Sequence, residues 1–246
     1  MSLPKISLPT YECTIPSTGK KVKFRPFVSR EEKILLMAME SKEDRQIFNA
    51  MSSIIESCTN GDLKTDELSS VDLEWFFLNL RAKSVGEISE FSLTCNNDIG
   101  DGQTCNQKIE YSINLLDARV TNIENLKKEI SVDGNIFLKL RVPDINTLSS
   151  IQEHLEDSTS NALFELLRKC IDYVYEKTKD SEVTKFSDVP ANEQRDWIDS
   201  LPATVIEQFA DYVKNLPKLE HKTQFTCPKC GKVHVQEFSG IGDFFS

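Results

Sequence analysis

The sequence predicts an α+β protein, with helical segments set around small antiparallel hairpins. Two patterns predict it. Apolar residues recur at helical spacing in several long stretches, and elsewhere they alternate with polar residues between turn-forming clusters. A third observation divides the chain, because strand-like stretches stand both before and after a run of helices. The expected organisation is an N-terminal hairpin plus helices over residues 1–86, a β-rich part from 87–143 and 217–246, and a helical insertion at 144–216.

Tyr11, Cys13 and Ile15 alternate with polar neighbours, Pro-Ser-Thr-Gly turns the chain, and Val22 and Phe24 alternate with basic residues. That is a hairpin. Ser29 before Arg30-Glu31-Glu32 matches a capping box that opens a helix through KILLMAME. Ile47, Met51, Ile54, Ile55 and Cys58 form one apolar stripe of a second helix that stops near Asn60-Gly61. A third helix sets Leu73, Phe76, Phe77 and Leu80 on one side. Strands are expected up to Cys95 and after Cys105, then a hairpin in KEISVDGNIFLKLRV with Asp133-Gly134 as its two-residue turn. Beyond Asp144 one helix carries Leu163, Leu167, Cys170, Ile171 and Val174. Another follows Pro190, and a third carries Val205, Ile206, Phe209 and Val213. Pro202 and Pro217 stand where these last two should end. HKTQFTC, the turn PKCG and KVHVQEF close the chain as strands.

The chain has 246 residues, 39 acidic against 29 basic, and a net charge of −10. A field of that sign repels a phosphate backbone. The densest basic cluster, Lys20, Lys21, Lys23 and Arg25, reads as a solvated strand face or as a contact for an acidic partner. No apolar run approaches the length that crosses a bilayer, and MSLPKISLPTYE has no signal pattern, so a cytosolic protein without membrane contact is expected.

Seven cysteines in a reducing compartment suggest metal binding where they cluster and core packing where they do not. Cys13, Cys58 and Cys170 lie on apolar faces and read as small core residues. Cys227 and Cys230, in FTCPKCGKV, sit in a strand–knuckle–strand context where two thiolates grip one metal. Cys95 and Cys105 flank NNDIGDGQT, a loop able to turn sharply and bring both sulfurs together. The expectation is one closed structural zinc ion held by Cys95, Cys105, Cys227 and Cys230. Such a zinc-ribbon-like site joins the strands before and after the helical insertion. Two separate thiol pairs, or a redox Cys-x-x-Cys, are the other readings. His234 is a possible substitute ligand, though its spacing suits a neighbour on the exit strand better.

Catalytic patterns are missing. His154, His221 and His234 stand without a nucleophile or base companion. STGKK has Thr14 where a phosphate loop needs glycine, and GIG at 240–242 lacks the third glycine of a dinucleotide fingerprint. NNDIGDGQT fails as a calcium loop, with Asp101 in place of the glycine and Gln107 in place of the bidentate Glu. No enzyme is expected. The tail FSGIGDFFS carries Phe238, Ile241, Phe244 and Phe245, which either dock on their own domain or meet a partner.

PTYECTIPSTGKKVKFRPFVSREEKILLMAMES resembles the opening of the T4-like bacteriophage baseplate hub assembly family, and FTCPKCGKVHVQEFSGIGDFF resembles its close. The resemblance implies a non-enzymatic factor made in the host bacterial cytoplasm, and a possible component of the virion baseplate. It would act on phage baseplate hub proteins, and the DFFS ending suggests Phe244 and Phe245 as contacts. The alternative is a zinc-ribbon accessory factor associated with nucleic acid, which needs a basic surface.

Overall fold

The computed structural model describes residues 4, 6–155, 159–177 and 183–244. Hairpin β1 (Tyr11–Thr14) and β2 (Lys21–Phe24) leads into helices α1 (Ser29–Ser41), α2 (Asp44–Cys58) and α3 (Ser70–Ser84). Strands β3 (Ile88–Thr94), β4 (Lys108–Asn114), β5 (Arg119–Thr121), β6 (Glu129–Ser131) and β7 (Ile136–Leu140) follow. Helices α4 (Ile145–Leu155) and α5 (Thr159–Cys170) precede β8 (Ile171–Glu176) and β9 (Val183–Lys185). Helices α6 (Ala191–Asp199) and α7 (Ala203–Lys214) lead to the last hairpin, β10 (Lys218–Thr226) and β11 (Val233–Ser239). Every strand pair is antiparallel, in sheets ordered β1-β2, β11-β10-β5, β3-β4 and β6-β7-β8-β9. The class is α+β, as the periodicities predict.

The chain forms two compact units, one from 1–63, 73–121 and 218–246, the other from 64–72 and 122–217. In the first, Val22 and Phe24 face inward while Lys21 and Lys23 face water, and Phe24 meets Phe76 edge-on at 5.4 Å. Met51, Ile54, Ile55 and Cys58 of α2 and Leu73, Phe76, Phe77 and Leu80 of α3 are all buried, so both apolar stripes are core. Helix α2 stops because Asn60 and Gly61 take positive φ, which lets the Gly61 N–H reach back to the Glu56 carbonyl at 2.9 Å.

The start of α1 differs from the expected cap. Val28, not Ser29, is the capping residue, and Glu31 reaches back from the first turn to accept the Val28 N–H at 3.0 Å. The same carboxylate accepts from Arg25 and Arg30, each at 2.9 Å, and from Ser57 Oγ at 3.2 Å. Arg25 also donates to Ser57 and to the Pro26 carbonyl. One buried carboxylate thus ties the hairpin exit, α1 and α2 together.

The tail is docked as far as Phe244. Gly240 donates to the Leu219 carbonyl at 2.9 Å, Ser239 to Asp243 at 2.8 Å, and the 3-10 turn Ile241–Phe244 buries both Ile241 and Phe244. Phe244 is 1% exposed and packs on Phe238 at 5.4 Å, so the partner contact expected of it is corrected to a core contact. Phe245 lies outside the described residues.

In the second unit, the helix expected to carry Leu163 through Val174 ends at Cys170. Ile171 and Val174 belong to β8, opposite Leu140 and Leu138 of β7. IDYVYE is rich in β-branched and aromatic residues that fit a pleated surface, and pairing with β7 settles it as a strand. The Asp133-Gly134 turn is also looser than two residues. Val132 bonds Ile136, and Asp133 Oδ1 accepts the Asn135 and Ile136 N–H groups. Leu138, Leu167, Val205 and Phe209 centre this unit's core.

Burial alone would raise the Glu31 pKa, but the Val28 N–H and the two guanidinium groups outweigh it. They hold the carboxyl at about 2, below its ordinary 4.5. A depressed carboxylate stabilises the fold above its unfolded pKa, and that contribution fades as pH falls from about 4.5 to about 2. Replacing Glu31 with Gln should cost about 2 kcal/mol at neutral pH. In denaturant melts the variant's stability should fall less steeply than wild type's across that acid window.

Candidate metal centre

The site is built from two chain reversals. Beyond β3, the loop NNDIGDGQT folds into a hairpin of its own. Asp98 and Thr104 form a bridge, Ile99 donates to Gln103, and Asp98 Oδ1 accepts from Gly100 at 2.9 Å. Its tip runs through positive φ at Gly100, Asp101 and Gly102, a path few other side chains tolerate. The loop closes at its base, where Cys95 donates to Gln107 at 2.8 Å and Cys105 to Asn97 at 2.8 Å. The second reversal joins β10 to β11, with Cys227 donating to Lys232 at 2.8 Å and Gly231 to Cys227 at 3.0 Å.

The two reversals share a device. Asn106 follows Cys105 with φ +50°, and Gly231 follows Cys230 with φ +74°. Each left-handed residue turns the next N–H back on the sulfur. The Gln107 N–H reaches Cys105, the Lys232 N–H reaches Cys230, and the Asn97 N–H similarly faces Cys95. Backbone donors aimed at sulfur favour the thiolate.

All four Sγ atoms lie within 4.8 Å of one another. Close approaches run between the hairpins, Cys95 to Cys230 at 3.7 Å and Cys105 to Cys227 at 3.8 Å. Four sulfurs at about 2.3 Å from one ion, arranged tetrahedrally, stand about 3.8 Å apart. A disulfide needs about 2.05 Å, and all seven cysteines are free thiols. The structure therefore brings together all four cysteines that the spacing singled out. Cys95, Cys105 and Cys227 are buried beside Ile109, while Cys230 is partly exposed.

Electrostatics point the same way. The Lys232 N–H, helped by the neighbouring thiols, holds Cys230 down at about 6, whereas burial pushes Cys95 up to about 12 and raises Cys105 as well. Packed thiols give up one proton easily and then resist, because the first thiolate repels the next. A soft divalent cation removes that resistance, so the donor set fits zinc.

Around the sulfurs, Asn97 Nδ2 lies 3.5 Å from Cys230 Sγ, and His234 Nε2 lies 3.3 Å from Cys95 Sγ. His234 stacks on Phe225 with ring centres 5.6 Å apart, a neighbour of the cluster and not one of its four grouped donors. Lys229 donates to the Cys105 carbonyl at 2.9 Å, and Lys232 to Asn96 at 3.3 Å. Sequence reasoning missed Asn97 and Asn106. The available signal was a Cys-Asn step that repeats the Cys-Gly step of the second reversal.

The remaining cysteines, Cys13, Cys58 and Cys170, are buried among core residues. His221 lies 6.1 Å from Phe238, ring centre to ring centre, and no cysteine cluster includes it.

No solved structure matches the chain. The baseplate hub assembly protein gp26 of Enterobacteria phage T4 is 24% identical over 236 residues, which span 96% of this chain and 97% of that protein. The family model described as T4 bacteriophage base plate protein matches residues 8–246. The chain belongs to the T4 bacteriophage base plate protein family.

Proposed function

We propose that the protein is a non-enzymatic factor in building the central hub of a bacteriophage baseplate, and that it works by binding other tail proteins. One structural zinc ion, held by Cys95, Cys105, Cys227 and Cys230, fastens its two cysteine hairpins. The convergence of four sulfurs within 4.8 Å of one another, two pairs of them at 3.7 and 3.8 Å, is the observation that carries the zinc. Family membership and the phage T4 relative, a baseplate hub assembly protein, carry the hub. Four protein thiolates fill a tetrahedral shell and leave no place for the water that catalytic zinc activates. The ion is a clasp, formed in the host cytoplasm where thiols stay reduced.

The runner-up, an accessory factor on nucleic acid, loses support from the basic cluster. Arg25 turns inward to Glu31, and Lys21 pairs with Glu12 at 3.2 Å. Among the described residues no helix is long and apolar enough to cross a membrane.

Metal sites of this kind contribute on the order of 10 kcal/mol to folding in small zinc domains. Purified protein should carry one zinc per chain, and Cys227→Ser should lose it together with much of the first unit's stability. Elemental analysis and thermal melts check both; full zinc retention by the variant would refute the shared site. On the partner side, purified protein should retain at least one hub protein of its own phage in a pull-down. Duplex DNA should not be retained at physiological salt. DNA binding that weakens steeply with salt, with no hub protein captured, would favour the runner-up.

A further inference from the structure

In the first unit a groove of about 540 Å³ runs between α1 and β3. Leu35, Leu36 and Met39 of α1 form one wall, and four successive β3 residues, 88–91, form the other. Phe27 and Phe244 also line it, so the two stretches that carry the family resemblance meet here. No β4 residue lines the groove, and β4 is β3's only strand neighbour among the described residues. The groove therefore follows the open edge of β3, where alternate N–H and C=O groups point away from β4.

Three observations say what this edge lacks. Ser89 is 8% exposed, and its Oγ, buried at the groove, has no hydrogen-bond partner among the described residues. An unpaired buried hydroxyl costs stability until a partner arrives. At the groove's mouth Leu36, Val85 and Ile88 are 54%, 56% and 57% exposed, an apolar patch on an acidic protein. The charges are uneven. Arg81 donates to the Gly86 carbonyl at 3.2 Å and lies beside Glu32, while Glu90 has no ion pair among the described residues.

We propose that this groove binds an extended segment of another tail protein. The segment adds as a strand to the open edge of β3, sets aliphatic side chains against α1 and places a lysine or arginine beside Glu90. The inference rests on the assembly reading above and names the site and the partner chemistry that it leaves open. A strand is favoured over a helix because its main chain supplies hydrogen bonds to the open β3 edge. A second copy of this chain would instead face Glu90 and a net charge of −10 with the same.

The test uses the full-length protein and overlapping synthetic peptides that tile the hub proteins of the same phage. Binding is read by fluorescence anisotropy, and the β3 edge by amide hydrogen exchange. Peptides with alternating aliphatic residues and a cation should bind and slow exchange within 88–91. Leu36→Glu and Glu90→Lys, both at exposed positions, should each weaken binding about tenfold or more without lowering the melting temperature. Binding that neither variant weakens, or that leaves exchange at 88–91 unaltered, overturns the proposal. If intact hub proteins bind and no peptide does, the groove assignment fails and the assembly reading stands. If neither binds, both fail. Self-association abolished by Leu36→Glu would identify a second copy as the occupant and overturn it equally.

Discussion

The structure turns on one convergence, four sulfurs meeting at a point from segments 122 and 135 residues apart in sequence. Closing so long a chain segment costs entropy, yet that cost grows only with the logarithm of its length. A large insertion between the hairpins is therefore tolerable if the junction is strong. The second unit is inserted in this way. The chain leaves the first unit after Thr121 and returns at Lys218, and these two residues are register partners in β5 and β10. The strand pair and the sulfur cluster close the same loop, one by backbone bonds and the other by side chains. Around them an aromatic row reinforces the junction. Tyr111 stacks on Phe225 at 4.4 Å and on Phe91 at 5.7 Å, and Phe91 meets Phe238 edge-on.

Where structure follows from local periodicity, the sequence was readable. The stripes of α2 and α3 pack as their spacing implies, and the last hairpin needed only its alternation and its Cys-Pro-Lys-Cys-Gly turn. Pairing Cys95 and Cys105 with that turn rested on elimination among seven cysteines, and the structure brings the four together. What stayed hidden depends on tertiary context. Ile171 and Val174 fit a helix stripe and a strand equally well, and only the partner strand β7 decides between them. Whether Phe244 docks on its own domain or meets a partner stayed open in the sequence. Its burial depends on Phe238 and on the Leu219 carbonyl that anchors Gly240, contacts that no local pattern reveals. The cap of α1 slipped by one residue for a similar reason, since Glu31 is fixed by Arg25 and Ser57 as well as by the helix start.

In the first unit, buried anchors stand beside an exposed apolar surface. Glu31 and the docked tail hold the N-terminal helices and the chain end in place. The face of α1 that carries Ile34, Leu36 and Met37 remains in water. Such a surface is a liability for a protein that works alone and an asset for one that assembles with others.

The central claim, that four thiolates hold one zinc ion, is tested most directly by zinc X-ray absorption on the purified protein. The account predicts a first shell of four sulfur atoms at about 2.3 Å and no light-atom ligand. A shell containing nitrogen or oxygen would contradict it, as would metal-free protein that folds with all four thiols titratable.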